Sequence, residues 1–283
     1  MKLVTTVSQV RQQVRAWHDE GLTVALVPTM GWFHEGHLSL MRTAGHQADR
    51  VVVSLFVNPI QFGEGEDLDS YPRDLERDSE MAKTVGVDVL YSPTVDEMYP
   101  AGFQSMVRVR DLSMGLCGGS RPGHFDGVCT VVCKLFNQVE PDKAFFGEKD
   151  YQQLAIIRRM VIDLDMDVEV IGCPIVREES GLAMSSRNVH LRDEDQDASL
   201  SLMRGIDHGR KRVAAAGGSI DAAELVGEIE KQIETTPGCR VDYVRIVDCD
   251  SLVDVKTADK NSRLILAVKV ADRVRLIDNG SLV

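Results

Sequence analysis

The chain has 283 residues, is 43% hydrophobic and carries a formal net charge of −12. The length allows one large or two medium domains, and the hydrophobic content is ample for a packed core. The acidic balance argues against a general affinity for nucleic acid or for an anionic membrane, so an anionic ligand must be held by local cations and backbone donors.

Two further features of the sequence indicate a cytoplasmic protein. No apolar stretch is long enough to span a bilayer, and the N-terminus lacks the hydrophobic core of a secretory signal. The six cysteines form no Cys-x-x-Cys pair, which in a chain of this size predicts reduced thiols. Cys129 and Cys133 share a face of a predicted helix, where apolar packing explains them better than metal binding.

Residues 1–177 alternate β-like and helical segments. The predicted strands are 24–27, 51–57, 87–90, 143–146 and 168–171, and the predicted helices are 37–47, 75–84, 128–137 and 151–163. This alternation predicts an α/β fold, a parallel sheet with helices on both faces. Ligands of such sheets bind beyond the carboxyl ends of the strands.

The remainder of the chain changes character. Two helices are predicted at 193–216 and 221–235, with Ser219 or Asp221 as the candidate N-cap of the second. Strands are predicted at 241–247, 263–270 and 274–277. Two helices and a few strands indicate a small α+β domain, so we expect domains at 1–177 and 178–283.

The turn after the first predicted strand carries the strongest functional signal. It reads Met30-Gly31-Trp32-Phe33-His34-Glu35-Gly36-His37 and leads into a helix. Backbone N–H groups at a helix start have no intrahelical partner, and the helix dipole favours anions there. A nucleotide-phosphate site is the simplest interpretation. A zinc site of the His-Glu-x-x-His type is disfavoured, because that motif needs its histidines four residues apart and here they are three apart.

Two loops carry polar groups with two open interpretations each. Asn58 and Gln61, after the second predicted strand, supply amides that suit the hydroxyl and carboxylate groups of a substrate, or they are a turn cap and a surface residue. In the loop 121–127, Arg121 either neutralises a phosphate or is solvated, and Asp126 or a neighbour is a candidate helix cap.

Two later loops suit a polyphosphate. Gly147-Glu148-Lys149-Asp150 opens a helix, where a lysine is unfavourable against the dipole unless an anion lies there. Met184-Ser185-Ser186-Arg187 offers two hydroxyls and a guanidinium in succession. The alternatives are an exposed lysine beside a capping Asp150, and serine hydroxyls that cap the next element.

With these segments together, the sequence resembles the pantothenate synthetases (pantoate–β-alanine ligases) over essentially its whole length. That family lies in the nucleotidylyltransferase and class I aminoacyl-tRNA synthetase-like superfamily with the His-x-Gly-His motif. Further matching pieces are Asp69-Ser70-Tyr71-Pro72-Arg73, Gln152-Gln153, Val241-Asp242-Tyr243 and the segment 275–279. Two departures are Trp32-Phe33, where the family more often has a small residue and leucine, and Met184 in place of a frequent leucine, a volume-conserving change.

The resemblance implies a Rossmann-like N-terminal domain, a C-terminal lid and a homodimer formed through the N-terminal domain. It also implies a two-step reaction with Mg²⁺: ATP and pantoate give pantoyl adenylate and pyrophosphate, and β-alanine then gives pantothenate and AMP. The metal is expected on the ATP phosphates.

The resemblance also implies residue roles. His37, His34 and Lys149 are the expected catalytic residues. ATP is expected to contact the segments 30–37, 147–150 and 184–187 together with backbone groups near Val176. Gln61, Gln153 and Asn58 are expected to bind pantoate, and Gln61 also β-alanine.

Two other functions share parts of this pattern. A nucleotidylyltransferase has the same histidine turn but keeps the nucleotide on its product. A nucleotide-sensing or RNA-binding module on the same fold would bind ATP without turnover, although the acidic balance argues against RNA.

Overall fold

The structure is a computed structural model that describes all 283 residues, and it divides the chain into two compact units. The first comprises residues 1–148 and 153–175, and the second comprises residues 149–152 and 176–283. The boundary predicted from the sequence lies at 177 and leaves Lys149–Gln152 in the first domain, whereas the structure groups that short segment with the second unit.

The first unit is built on six parallel strands in the order β1-β4-β3-β2-β5-β6. The strands are β1 (Lys2–Val4), β2 (Val24–Thr29), β3 (Arg50–Leu55), β4 (Val89–Tyr91), β5 (Lys143–Gly147) and β6 (Glu169–Cys173). The helices are α1 (Val7–Asp19), α2 (Glu35–Gln47), α3 (Leu75–Thr84), α4 (Val95–Met98), α5 (Leu116–Ser120), α6 (His124–Val139) and α7 (Tyr151–Asp163). The predicted α/β architecture is confirmed.

Both faces of this sheet are buried, which explains the nearly continuous apolar runs of its central strands. Along β2, Val24 and Leu26 pack in one hydrophobic cluster, which also holds apolar residues of α1, α6 and α7. Ala25 and Val27 point the other way into a second cluster with residues of α2 and α3. Successive strand residues face opposite sides, so one apolar strand supplies two cores.

Some elements of the first unit were not predicted, namely β1, α1 and the short helices α4 and α5. The strand β1 is only three residues long and lies at the sheet edge beside β4. The helix α1 begins with a capping box in which Thr6 and Gln9 satisfy each other's backbone N–H groups, and it buries Val10, Val14 and Trp17. The cap and the apolar spacing of α1 are readable in the sequence.

The second unit combines helices with an antiparallel sheet of order β11-β10-β8. Its elements are α8 (Gln196–Ser199), α9 (Ser201–Ala215), β7 (Ile220–Asp221), α10 (Ala222–Glu234), β8 (Cys239–Asp248), β9 (Thr257–Ala258), β10 (Ser262–Val270) and β11 (Val274–Ser281). The predicted helix 193–216 is broken into a 3-10 turn, α8 and α9. Of the two candidate N-caps of α10, Ser219 and Asp221, the cap is Asp221, whose carboxylate accepts the N–H of Glu224.

No helix is both long enough and apolar enough to cross a membrane.

Candidate active site

The turn between β2 and α2 has an unusual backbone. Gly31 has φ of +90° and Trp32 has φ of 52°, both in the left-handed region. A Cβ at position 31 would lie 3.0 Å from Oδ2 of Asp78, so glycine is required there by both conformation and space. Trp32 carries a conformational cost, which the surrounding contacts must offset.

Asp78 of α3 holds this turn. Its carboxylate accepts the N–H groups of Trp32 and Phe33 at 2.7 and 2.8 Å, and it pairs with the guanidinium of Arg77 at 3.0 Å. Burial raises the pKa of Asp78 above its usual value, although the two N–H donors and Arg77 act in the opposite direction. Arg77 also donates to the Phe33 carbonyl and stacks on the Trp32 ring at 4.7 Å. The sequence gives no sign of this role of Asp78, because the contact joins residues 45 and 46 positions apart.

The two histidines of the motif share one protonation pattern. His34 is the N-cap of α2, and its Nδ1 accepts the N–H of Gly36 at 3.1 Å. Nδ1 of His37 accepts the N–H of His34 at 3.3 Å, and the two rings are 4.1 Å apart. Because each Nδ1 is an acceptor, each neutral ring carries its proton on Nε2. The Nε2–H groups of His34 and His37 are therefore two donors at the N-terminus of α2, where the helix dipole favours an anion.

Glu35, between the histidines, is exposed and has a different partner. It forms two hydrogen bonds with Arg42, further along α2, at 2.6 and 3.1 Å. The Arg42 guanidinium lowers the pKa of Glu35 below its usual value.

The predicted pantoate residues Asn58 and Gln61 lie in a 3-10 turn, Pro59–Gln61, that follows β3. Gln61 is 8% exposed, and its side-chain Nε2 lies 3.0 Å from the Met30 sulfur. The amide of Asn58 donates to Gln61 Oε1 and to the Gly127 carbonyl, and its Oδ1 accepts from the Tyr99 hydroxyl at 2.7 Å. The structure thus brings the turns after β2 and β3 together, and Asn58 braces Gln61 instead of capping through its side chain.

The loop before α6 is an ion-paired structure. Arg121 forms a two-pronged pair with Glu66 and also contacts the His124 ring, so it is not simply solvated. Pairing with Arg121 lowers the pKa of Glu66 below its usual value. Of the candidate caps, Asp126 or a neighbour, the structure places a neighbour, Gly123, at the N-cap of α6, with no side-chain cap hydrogen bond. Asp126 instead pairs with Arg108.

The remaining predicted residues of the first unit are Gly147, Glu148 and Gln153. Gly147 ends β5, the strand beside β2, so its position is at the carboxyl edge of the sheet like that of the histidine turn. Glu148 follows it, and Gln153 lies in the first turn of α7 and is partly buried.

The segment Lys149–Gln152 is fastened within the second unit. Asn279, 1% exposed, donates to the Lys149 carbonyl at 2.9 Å, and the Tyr151 hydroxyl donates to the Cys249 carbonyl at 3.0 Å. The Arg263 guanidinium lies 3.9 Å from the Tyr151 ring centre and donates to Asn279. Nζ of Lys149 lies 3.9 Å from the Asp150 carboxylate, a loose ion pair.

The segment 184–187 has partly structural hydrogen bonds. Ser185 is the N-cap of the 3-10 turn Ser186–His190 and accepts the N–H of Arg187 at 3.3 Å, so the capping interpretation holds for this hydroxyl. Ser186 is 8% exposed. The Met184 N–H donates to the Val176 carbonyl at 3.0 Å, which ties these two predicted ATP contacts together.

Metal binding by protein ligands alone does not fit this chain. No group of three or more His, Cys, Asp or Glu side chains is arranged to hold a metal ion. Mg²⁺ commonly binds through one or two carboxylates together with substrate phosphates, and an ion carried on the ATP phosphates needs no such group.

Comparison with known sequences gives a consistent family. A family model described as pantoate-beta-alanine ligase matches residues 2–281. The pantothenate synthetase of Desulfotalea psychrophila is 50% identical over 285 residues, which cover 100% of this chain and 99% of the relative. The pantothenate synthetase of Heliobacterium modesticaldum is 52% identical, with coverage of 99% and 98%.

Solved structures agree with this assignment. Pantothenate synthetase from Thermus thermophilus has 45% sequence identity and a TM-score of 0.92, covering 100% of this chain and 99% of its own. Pantoate-beta-alanine ligase from Francisella tularensis, complexed with β-γ ATP and β-alanine, has 31% identity and a TM-score of 0.82, covering 100% and 98%. The family model and the relatives match nearly the whole chain, histidine turn included: this protein belongs to the pantoate–β-alanine ligase family.

Proposed function

We propose that this protein joins pantoate to β-alanine at the expense of ATP, releasing AMP and pyrophosphate. The observation that carries the proposal is that backbone N–H groups occupy Nδ1 of both His34 and His37 at the N-terminus of α2, which leaves Nε2 of each ring as the donor. The Gln61 amide contacts Met30 of the same turn. The ATP and β-alanine of the Francisella tularensis ligase structure support the same two ligands here.

In the first step the pantoate carboxylate attacks the α-phosphorus of ATP. The bond to the β-phosphate oxygen breaks, pyrophosphate leaves with its electron pair, and pantoyl adenylate forms. Both reactants are anionic, so the site must shield charge and fix an in-line geometry. His37 and His34 donate to the phosphates as charge develops, with His37 the principal transition-state donor.

Other residues also bind the nucleotide. Lys149, Ser185, Ser186 and Arg187 neutralise the triphosphate together with the Mg²⁺ that ATP brings. The segments 30–37 and 147–150, with Val176 and Met184, line the nucleotide.

Pantoate is bound by amide side chains. Gln61 and Gln153 hold its hydroxyls and carboxylate, and Asn58 supports Gln61 through the hydrogen bond to its Oε1. Amides suit this task because each offers both a donor and an acceptor.

In the second step the β-alanine amine attacks the acyl carbon of the adenylate, and AMP leaves. The acyl group is already activated, so proximity supplies most of the acceleration. Gln61 also contacts β-alanine. Water would hydrolyse the adenylate. The C-terminal domain, residues 178–283, serves as a lid that excludes water from it.

The same proposal includes a cytoplasmic location and a homodimer formed through the N-terminal domain. Sedimentation equilibrium of the purified protein tests the dimer. A species of 31.3 kDa at all concentrations would exclude it.

The test of function is an assay of AMP and pyrophosphate with Mg·ATP, pantoate and β-alanine, omitting each in turn. We expect AMP release only with all three, and exchange of labelled pyrophosphate into ATP with pantoate alone. A nucleotide retained on the product would indicate a nucleotidylyltransferase, and ATP binding without turnover would indicate a sensor.

A further inference from the structure

The start of α6 packs closely against the 3-10 turn that contains Gln61. A Cβ placed on Gly127 would lie 2.5 Å from the Ile60 carbonyl oxygen and 2.6 Å from the Gln61 Cα. Only glycine permits this approach of two backbones. The Asn58 amide closes the same junction by donating to the Gly127 carbonyl at 3.1 Å.

His124, the first residue of α6, adds a contact to Gln61 itself. Its Nδ1 lies 2.8 Å from the Gln61 carbonyl oxygen, and its Nε2 lies 3.0 Å from Nη1 of Arg121. A guanidinium can only donate, so Nε2 must accept. The ring is then the neutral tautomer with its proton on Nδ1, and that proton is donated to the Gln61 carbonyl.

The tautomer is in turn fixed by an ion pair. The Nε of Arg121 donates to Glu66 at 2.7 Å, and the Arg121 and Glu66 side chains are 15% and 24% exposed. The pair leaves Nη1 directed at the histidine. Glu66, Arg121, His124 and Gln61 thus form one chain of hydrogen bonds across the first unit.

We propose that His124 is a positioning residue for pantoate binding. It holds the Gln61 main chain, and with it the direction of the Gln61 amide, while Arg121 keeps the histidine proton on Nδ1. The inference rests on the proposed role of Gln61. It assigns a function to the loop 121–127, which the reaction itself does not use.

Two substitutions at position 124 distinguish the roles of the two ring nitrogens. In His124→Asn the amide NH₂ lies near the position of Nδ1 and retains the donor to Gln61. In His124→Gln the amide reaches the position of Nε2, which preserves an acceptor for Arg121 but removes the donor. We expect the KM for pantoate to rise about tenfold in the glutamine variant, as for one lost hydrogen bond, and to stay near wild type in the asparagine variant.

The KM for ATP should change little in both variants, because the histidine turn is untouched. His46→Gln, at an exposed position of α2, is the matched control and should leave both constants unchanged. Urea unfolding of each variant verifies that it is folded. Equal pantoate defects in the asparagine and glutamine variants, or equal changes in both KM values, would overturn the proposal.

A spectroscopic measurement tests the tautomer without substitution. The imidazole ¹⁵N signals of His124 in the wild-type protein should show a protonated Nδ1 and an unprotonated Nε2, the reverse of His34 and His37. A protonated Nε2 at His124 would overturn the proposal. If the wild-type protein forms AMP without any need for pantoate, the proposed function fails instead, and the omission assay reports that separately.

Discussion

Neighbouring groups decide which nitrogen of each histidine carries the proton. Backbone N–H groups occupy Nδ1 of His34 and His37, so their protons are on Nε2. Arg121 instead occupies Nε2 of His124, which moves that proton to Nδ1. Histidines of opposite tautomer therefore suit the different tasks proposed for them in one unit: two would donate to a ligand, and one would support the main chain.

Removal of the His37 donor tests its role in the first step. We expect His37→Ala to slow pantoate-dependent pyrophosphate exchange by about 10²- to 10³-fold, the usual cost of one lost charge-stabilising donor. His37→Gln should retain part of the rate, because its amide can present an N–H near the position of Nε2.

The control for His37 is His46→Ala, since His46 is exposed in the last turn of the same helix. Urea midpoints should show that all variants are folded. An exchange rate in His37→Ala close to that of the wild type would remove His37 from the chemistry.

At the scale of elements, α3 fixes the conformation of the turn that precedes α2. Asp78→Asn keeps the size of the side chain but leaves one oxygen to serve the N–H groups of Trp32 and Phe33. One buried N–H then lacks an acceptor, so we expect a loss of about 1–3 kcal/mol in the free energy of unfolding, measured in urea. The KM for ATP should rise as well, because the histidine turn loosens.

Glu76→Gln, at an exposed position in the first turn of α3, should cost only a few tenths of a kcal/mol through the helix dipole. Comparable losses in the two variants would show that the buried contacts of Asp78 do not hold the turn.

Local patterns predict most of these elements. The limits of α3 and α7 agree with the predicted ranges, and β2 and β3 follow from their apolar runs. The helix 193–216 was predicted as continuous, because the residues at its interruptions are all compatible with a helix. Asp126 shows the other limit: its position suits a cap, but a partner 18 residues away decides its role.

The parts of the site that the sequence does not predict depend on contacts between residues far apart in the chain. The motif residues were found because each lies at the end of a strand or the start of a helix. Asp78 carries no local signal, because it contacts a residue 45 positions away. His124 and Asn279 lie in segments that match the family, but their contacts, 63 and 130 positions away, cannot be read from those segments. The sequence thus points to candidate ligand-binding residues, whereas the contacts that support them are visible only in the structure.

Ion pairs make the stability of the whole molecule depend on pH, and the pair that involves Glu228 predicts a loss of stability in acid. Arg212, with His208, lowers the pKa of Glu228 to about 2. A carboxyl whose folded pKa is lowered contributes stability that is present above its unfolded value of 4.5 and is lost as the pH falls through about 2. The contribution is modest, because the pair is partly exposed.

We therefore expect Glu228→Gln to be less stable than wild type near pH 6, with the difference shrinking between pH 4.5 and 2. Urea unfolding at a series of pH values measures it. Glu179→Gln, at an exposed position of the same unit, is the control. A difference that does not change with pH would show that charge pairing is not its source.

The grouping of Lys149–Gln152 with the second unit has a practical consequence for dissecting the protein. The polypeptide passes from one unit to the other three times, after Glu148, after Gln152 and after Ile175. No single cut in the gene yields two intact halves, because a fragment starting at residue 176 loses the tyrosine ring beneath Arg263 and the carbonyl that Asn279 caps. Attempts to produce the C-terminal half alone should supply the missing tetrapeptide through a graft or a circular permutation.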